Sequence, residues 1–180
     1  EEYGEERAQA IFKSLLVRNK ASIRVTDLSR KEEIKAVLDA TDSPLASTGL
    51  VKEQGHFAGH DLFADGAITI QDESSQLVAP TLDLKGDEQV LDACAAPGGK
   101  TAHMASYLTS GKVTALDLYD HKLDLIQENA ERLGVADQVQ TQKLDARKVH
   151  EFFEKDSFDK ILVDAPCSGI GLLRRKPDIK

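Results

Sequence analysis

The sequence predicts an α/β chain, with an open parallel sheet in its second half preceded by a small α+β module. Three observations carry this reading. After Gly86, strand-like segments alternate with helical ones, the order that right-handed βαβ crossovers and a parallel sheet require. Before about residue 70, short alternating strand signals surround one helical stretch and several glycine-containing loops. Within the second half, Leu91 to Thr101 runs from an apolar strand through Pro97-Gly98-Gly99 into a helix start without interruption.

Taken in order, residues 1–17 are acidic and then apolar at helical spacing (Ala8, Ile11, Phe12, Leu15, Leu16), which predicts an amphipathic helix. Ala21 to Thr26 alternates Ile23 and Val25 as a strand does, and Ser29 stands where it caps a helix with Ile34, Val37 and Leu38 on one face. Pro44 closes that unit, and Thr48 to Val51 and Ala67 to Ile70 read as further strands. Residues 1–70 thus form the small module. Residues 71–86 read as a connecting helix, capped by Asp72 or Ser74 and interrupted at Pro80. Residues 87–180 then supply strands at Gln89 to Ala93, Lys112 to Leu116, Gln138 to Leu144 and Phe158 to Val163. Asp120 caps a helix whose Leu123, Ile126, Ala130 and Leu133 share a face, and Gly134 ends it.

Composition bounds what such a chain does. It has 180 residues, with 41% hydrophobic and 30% charged side chains, which is ordinary globular make-up. No apolar run approaches the roughly 18 residues that span a bilayer, and no signal segment opens the chain, so a soluble cytoplasmic protein with no membrane contact is expected. Cys94 and Cys167 are too few for a disulfide framework, and the histidines show no metal-ligand spacing, His56 and His60 lying among glycines. A net charge of −8 argues against strong non-specific nucleic-acid binding, so any RNA contact falls to a local basic patch, best placed at Arg174, Arg175 and Lys176.

Ligands of open parallel sheets bind beyond the carboxyl ends of the strands, near the point where strand order reverses. Those ends carry Asp92 with the glycine loop, Asp117, Asp145 and Asp164. Adjacent glycines admit a ligand close to the backbone, and a helix start offers unpaired N–H groups. Asp117 follows Gly99 by eighteen residues, near the ~20-residue offset at which a carboxylate meets a ribose diol. The competing reading makes the glycines a tight strand-to-helix turn and each aspartate a helix cap. Spacing narrows the ligand. A phosphate-binding G-x-x-x-x-G-K-T loop would need glycine at Cys94, and G-x-G-x-x-G is absent because Gly98 and Gly99 adjoin. A nucleoside cofactor without a pyrophosphate, such as S-adenosylmethionine, fits better. The fourth strand ends in Asp164-Ala165-Pro166-Cys167, which brings a thiol suited to attack on an electron-poor ring carbon over the same crevice, whereas Cys94 reads as an inert thiol.

Leu91-Asp92-Ala93-Cys94-Ala95-Ala96-Pro97-Gly98-Gly99-Lys100-Thr101, Asp164-Ala165-Pro166-Cys167-Ser168-Gly169 and Arg174-Arg175-Lys176-Pro177-Asp178-Ile179-Lys180 together resemble the Sun/RsmB-type ribosomal RNA cytosine-5 methyltransferases. The resemblance implies a Rossmann-like S-adenosylmethionine-dependent methyltransferase fold, here incomplete, acting on small-subunit ribosomal RNA. It implies cofactor contacts from Cys94, Ala95, Ala96, Pro97, Gly98, Gly99, Lys100, Asp117, Asp145 and Asp164. It makes residues 1–70 an RNA-binding type of module and Cys167 and Asp164 the catalytic candidates. In this family the attacking cysteine lies in a later Thr-Cys motif, while the Pro-Cys thiol assists resolution of the covalent adduct. These 180 residues contain no Thr-Cys and no NusB-like domain, so the implied activity belongs to a longer parent and this stretch is expected to be inactive. A non-catalytic S-adenosylmethionine- or RNA-binding module is the alternative. Methylation of an exocyclic amine is disfavoured, because such enzymes use Asp/Asn-Pro-Pro-aromatic where this chain has Asp164-Ala165-Pro166-Cys167.

Overall fold

The computed structural model describes residues 4–15 and 20–165. It contains two sheets of four strands each, one antiparallel and one parallel.

The N-terminal part begins with helix α1 (Glu5–Leu15), on which Phe12 is 65% exposed. Strands β1 (Ala21–Val25), β2 (Thr41–Asp42), β3 (Gly49–Lys52) and β4 (Ile68–Ile70) pair antiparallel in the order β2-β3-β1-β4. Helix α2 (Lys31–Leu38) covers this sheet through Ile34 and Leu38, which join Ile23, Val25, Leu50, Phe57 and Ile68 in one apolar core. The cap forms two residues earlier than Ser29: the Asp27 carboxylate accepts from the Ser29 amide, starts a 3-10 turn, and α2 continues from it. Strand β2 has no apolar residue to announce it, which is why alternation missed it.

The connector is two short helices rather than one. After α3 (Asp61–Ala64), helices α4 (Glu73–Gln76) and α5 (Val78–Thr81) break at Leu77, while Pro80 sits within α5. Pro80 is in the first turn, where its missing N–H costs no helical hydrogen bond. The Gln76 amide nitrogen, fully buried, donates to the Ile23 and Gln71 carbonyls and so ties α4 to β1.

The parallel sheet contains β5 (Gln89–Asp92), β6 (Lys112–Asp117), β7 (Val139–Lys143) and β8 (Lys160–Leu162) in the order β7-β6-β5-β8. Helices α6 (Gly99–Ala105) and α7 (Asp120–Arg132) cover one face, where Met104, Ala105, Ile126 and Ala130 meet Val90, Val113 and Ala115. On the other face Leu91, Leu116 and Leu144 pack under Val149, Phe153 and Phe158, beside helix α8 (Val149–Phe152). Coverage on both faces explains the near-continuous apolar runs of β5 and β6. Asp120 is the first residue of α7 and Tyr119 occupies the cap position. No described helix is long and apolar enough to cross a membrane.

β5 and β6 lead outward to β7, whereas β8 returns to the opposite side of β5. Strand order therefore reverses between β5 and β8, and the crevice lies beyond Asp92 and Leu162.

Candidate functional site

The site is built from the loop that leaves β5. Ala95 N–H donates to the Leu116 carbonyl at 3.0 Å, which anchors the loop to β6, and Gly98 N–H donates to the Ala95 carbonyl at 2.8 Å, which closes the turn. Gly98 has φ +100°, and a Cβ there would come within 3.0 Å of Ile126 Cα, so the position needs glycine both for conformation and for space. The Gly98 carbonyl then accepts from Ala102 N–H at 2.8 Å and starts α6.

Beside this loop lies a cavity of about 290 Å³ at the carboxyl ends of β5 and β8. It brings together Cys94, Ala95, Ala96, Pro97, Gly99, Lys100 and Asp164 of the predicted set, with Asp92. Lys100 Nζ meets Asp164 Oδ2 at 2.5 Å and so spans the seam between the two strand ends. Asp92 is 1% exposed: its Oδ2 accepts from Thr101 Oγ1 at 2.8 Å, and its Oδ1 has no hydrogen-bond partner among the described residues. Burial pushes the Asp92 carboxyl up to about 6; the Thr101 hydroxyl opposes this, and the Cys94 amide does too without reaching hydrogen-bond geometry. The half-buried Cys94 thiol is pushed up by burial and then by Asp92, Asp117 and Asp164, so it stays protonated at neutral pH.

Two predicted carboxylates stand outside the cavity. Asp117 ends β6, and its Oδ1 accepts from Leu118 N–H at 2.7 Å and Tyr119 N–H at 3.3 Å, with Lys122 Nζ at 3.7 Å. The residue before it, Leu116, accepts from the Ala95 amide, which places Asp117 beside the loop. Asp145 follows β7, two strands from β5, and forks with Arg147 at 2.6 Å while accepting from its amide at 3.0 Å. The Arg147 guanidinium and amide hold the Asp145 carboxyl down to about 2. Cys167, Arg174, Arg175 and Lys176 lie outside the described residues.

Sequence reading missed the wall opposite the loop. Ile70, Gln71, Asp72 and Ser75 line the cavity from the end of β4 and the start of α4. Their only sequence signal was a helix-capping pattern. Gln71 is buried with its orientation fixed, because Arg24 Nε can only donate and does so to Gln71 Oε1 at 2.9 Å. The amide nitrogen is thus turned away from Arg24, and it has no partner among the described residues. A Cβ on Gly99 would lie 4.0 Å from it. His103 is buried beneath, one helical turn along α6, and burial together with Arg24 drives its imidazole down to about 3, so it is neutral.

A parallel sheet with a glycine turn at its reversal point, and carboxylates at successive strand ends, defines the Rossmann-like class of domains that hold nucleoside cofactors. Residues 79–180 match the model of the family described as 16S rRNA methyltransferase RsmB/F, and the chain belongs to that family, with its Rossmann-like methyltransferase fold. The probable ribosomal RNA small subunit methyltransferase B of Bacillus subtilis is 46% identical over 99% of this chain and 41% of its own length. The crystal structure of the protein designated PH0851 superposes with a TM-score of 0.87 at 32% identity, over 96% of this chain and 41% of that one. A methyltransferase homologue from Pyrococcus horikoshii gives a TM-score of 0.79 at 31% identity, over 96% and 59%. The chain therefore spans about two fifths of the length of that curated relative.

Proposed function

We propose that this chain is part of an S-adenosylmethionine-dependent enzyme that methylates small-subunit ribosomal RNA at carbon 5 of a cytosine. The observation that carries the reading is the cavity at the β5–β8 seam, where a glycine turn, the Lys100–Asp164 pair and Asp92 Oδ1, without a partner among the described residues, converge. The family description and the name of the Bacillus relative support the substrate class. Carbon 5 rests on the Asp164-Ala165-Pro166-Cys167 sequence.

The residues fit the cofactor in charge and shape. Asp92, Asp164 and nearby Asp117 favour a cationic ligand, and Gly98 with Gly99 leaves room against the backbone. S-adenosylmethionine, when bound, supplies an electrophilic methyl group on a positively charged sulfur. Cys94 to Lys100 would wrap it, Asp117 and Asp145 would accept from its hydroxyl and amine donors, and Lys100 would hold Asp164 in place. Cys94, kept protonated, contributes packing rather than attack. Cys167 is the proposed thiol that assists resolution of the RNA adduct, and Arg174, Arg175 and Lys176 are proposed phosphate contacts. Residues 1–70 are proposed as the RNA-facing module and 71–86 as its connector.

Calorimetric titration of S-adenosylmethionine against wild type, Asp117→Ala and Lys100→Met tests the site. Each substitution is expected to weaken binding about tenfold or more, as loss of a charge-assisted contact does. Equal binding by all three would remove both residues from it. In a protein of the relatives' full length, methylation of RNA carrying 5-tritiated cytosine is expected to release tritium. Methyl transfer without tritium release would point to the exocyclic amine instead.

A further inference from the structure

One face of α7 carries Ile126, Asn129 and Arg132 at successive three-residue steps, and each touches something functional. Ile126 lies directly beneath Gly98. Asn129 Nδ2 donates to the Pro97 carbonyl at 2.8 Å, and its Oδ1 accepts from Arg132 Nη2 at 3.0 Å, so both ends of the amide are used and its orientation is fixed. Arg132 Nη2 also donates to Thr69 Oγ1 at 3.2 Å, while Nη1 donates to the Phe63 carbonyl at 2.9 Å and the Ile68 carbonyl at 3.3 Å. The guanidinium stacks over the Phe63 ring, 4.0 Å from its centre. The approach is close enough that a Cβ on Gly66, whose φ is +73°, would fall 2.0 Å from the Arg132 carbonyl oxygen.

These contacts make one continuous path. It begins on the antiparallel sheet at β4 and α3, crosses the Arg132 fork, passes through the Asn129 amide and ends on the carbonyl that precedes the glycine turn. A planar fork is suited to this, because it fixes direction as well as distance at several acceptors at once. Among the described residues its hydrogen-bond partners are neutral oxygens, so the contact is one of geometry rather than of charge pairing.

We propose that Asn129 and Arg132 are positioning residues for the cofactor loop: they hold the Pro97–Gly98 turn against the antiparallel module, so that the module sets the shape of the cavity. This rests on the reading of that loop as the S-adenosylmethionine site. Neither residue touches the cavity, and both act through the Pro97 carbonyl.

Two readouts test it in a protein of the relatives' full length. The first is amide hydrogen exchange of the 96–100 segment without ligand, and the second is the dissociation constant of S-adenosylmethionine. Asn129→Asp keeps an acceptor for Arg132 but sets an oxygen against the Pro97 carbonyl. It is expected to speed exchange of Gly98, whose amide closes the turn onto Ala95, about fivefold and to weaken binding by about the same factor or more, the equivalent of one hydrogen bond. Arg132→Lys keeps the charge but cannot span the acceptors, and is expected to move both readouts in the same direction. Glu128→Ala, on the exposed face of α7, is the control and should move neither.

Unchanged exchange and affinity in Asn129→Asp would overturn the proposal, whatever happens to the unfolding midpoint. An effect of Asn129→Asp with none of Arg132→Lys would overturn the link to the module. Circular dichroism establishes that each variant is folded, and if Arg132→Lys is not, Phe63→Leu removes the stacking and takes its place. Failure of the wild type to bind S-adenosylmethionine, with exchange still accelerated in both variants, would reject the cofactor reading and support the positioning path.

Discussion

Asp92 carries a cost that is measurable without any ligand. Its carboxyl rises from 3.8 to about 6 because it is buried, with one oxygen on Thr101 and the other without a partner among the described residues. The folded chain therefore binds this proton more tightly than the unfolded chain does. Stability falls as pH rises from about 3.8 to about 6 and is level above that range. At about 1.4 kcal/mol per pH unit, the loss at neutral pH is roughly 3 kcal/mol. Asp92→Asn removes the charge while keeping an oxygen for Thr101. It leaves a buried amide donor, which adds a cost that does not vary with pH. The informative quantity is thus the difference between variant and wild type in urea unfolding free energy, measured from pH 4 to pH 7.5. That difference should move in favour of Asn by roughly 2.5 kcal/mol across the range and flatten above pH 6.5. In thermal scans the corresponding relative change is about 5–10 °C, at 2–4 °C per kcal/mol for a chain of this size. A difference that stays constant from pH 4 to pH 7.5 would refute the assignment of a raised carboxyl. One that moves in favour of wild type as pH rises would show that Asp92 is stabilised as an anion. If the cavity takes a cationic ligand, binding by wild type should strengthen as pH rises through about 6 and by Asp92→Asn should not.

Gly98→Ala should lose about 1–3 kcal/mol of stability from its positive φ and its contact with Ile126, and should abolish cofactor titration heat; near-wild-type unfolding and binding would contradict the packing argument. Cys94 should react slowly with iodoacetamide at pH 7, because burial and nearby carboxylates keep the thiol protonated, and the rate should climb only above pH 9; rapid labelling of that residue by peptide mapping would contradict this. Substituting Lys100 by Met should leave the fold intact by circular dichroism, since Asp164 is half exposed and solvated, while weakening ligand binding; a collapse of structure would make Lys100 a packing residue instead.

Much of the fold was legible because the parallel sheet is patterned locally. The strands expected at Gln89 to Ala93 and Lys112 to Leu116 end within one residue of β5 and β6, since runs such as Val113-Thr114-Ala115-Leu116 are buried on both faces. Strand β2 was illegible for the opposite reason: Thr41 and Asp42 are exposed, and pairing with Val51 and Leu50 is their sole strand credential. The connector looks like one helix in sequence because Pro80 is visible there but the turn at Leu77 that lets Gln76 reach Ile23 is not. The loop from Cys94 to Lys100 could be found as a site because it is contiguous. The opposite wall could not, because Gln71 and Ser75 meet it only through tertiary packing. Asp117 and Asp145 show what strand-end reasoning leaves out: it places a carboxylate in a row, while the partners each one holds, the Leu118 amide for Asp117 and Arg147 for Asp145, are set by the turns that follow.

The sheet order has a consequence for how the site is closed. β5, β6 and β7 are consecutive in the chain and pair in that order, whereas β8 must return to the free side of β5, where Asp159 and Gln89 bond each other through both the Gln89 amide and its carbonyl. Lys100, on α6, meets Asp164 only across that seam. The crevice between β5 and β8 is thus closed by the strand of this sheet that comes last in the chain, whereas β5, β6 and β7 are joined by local crossovers.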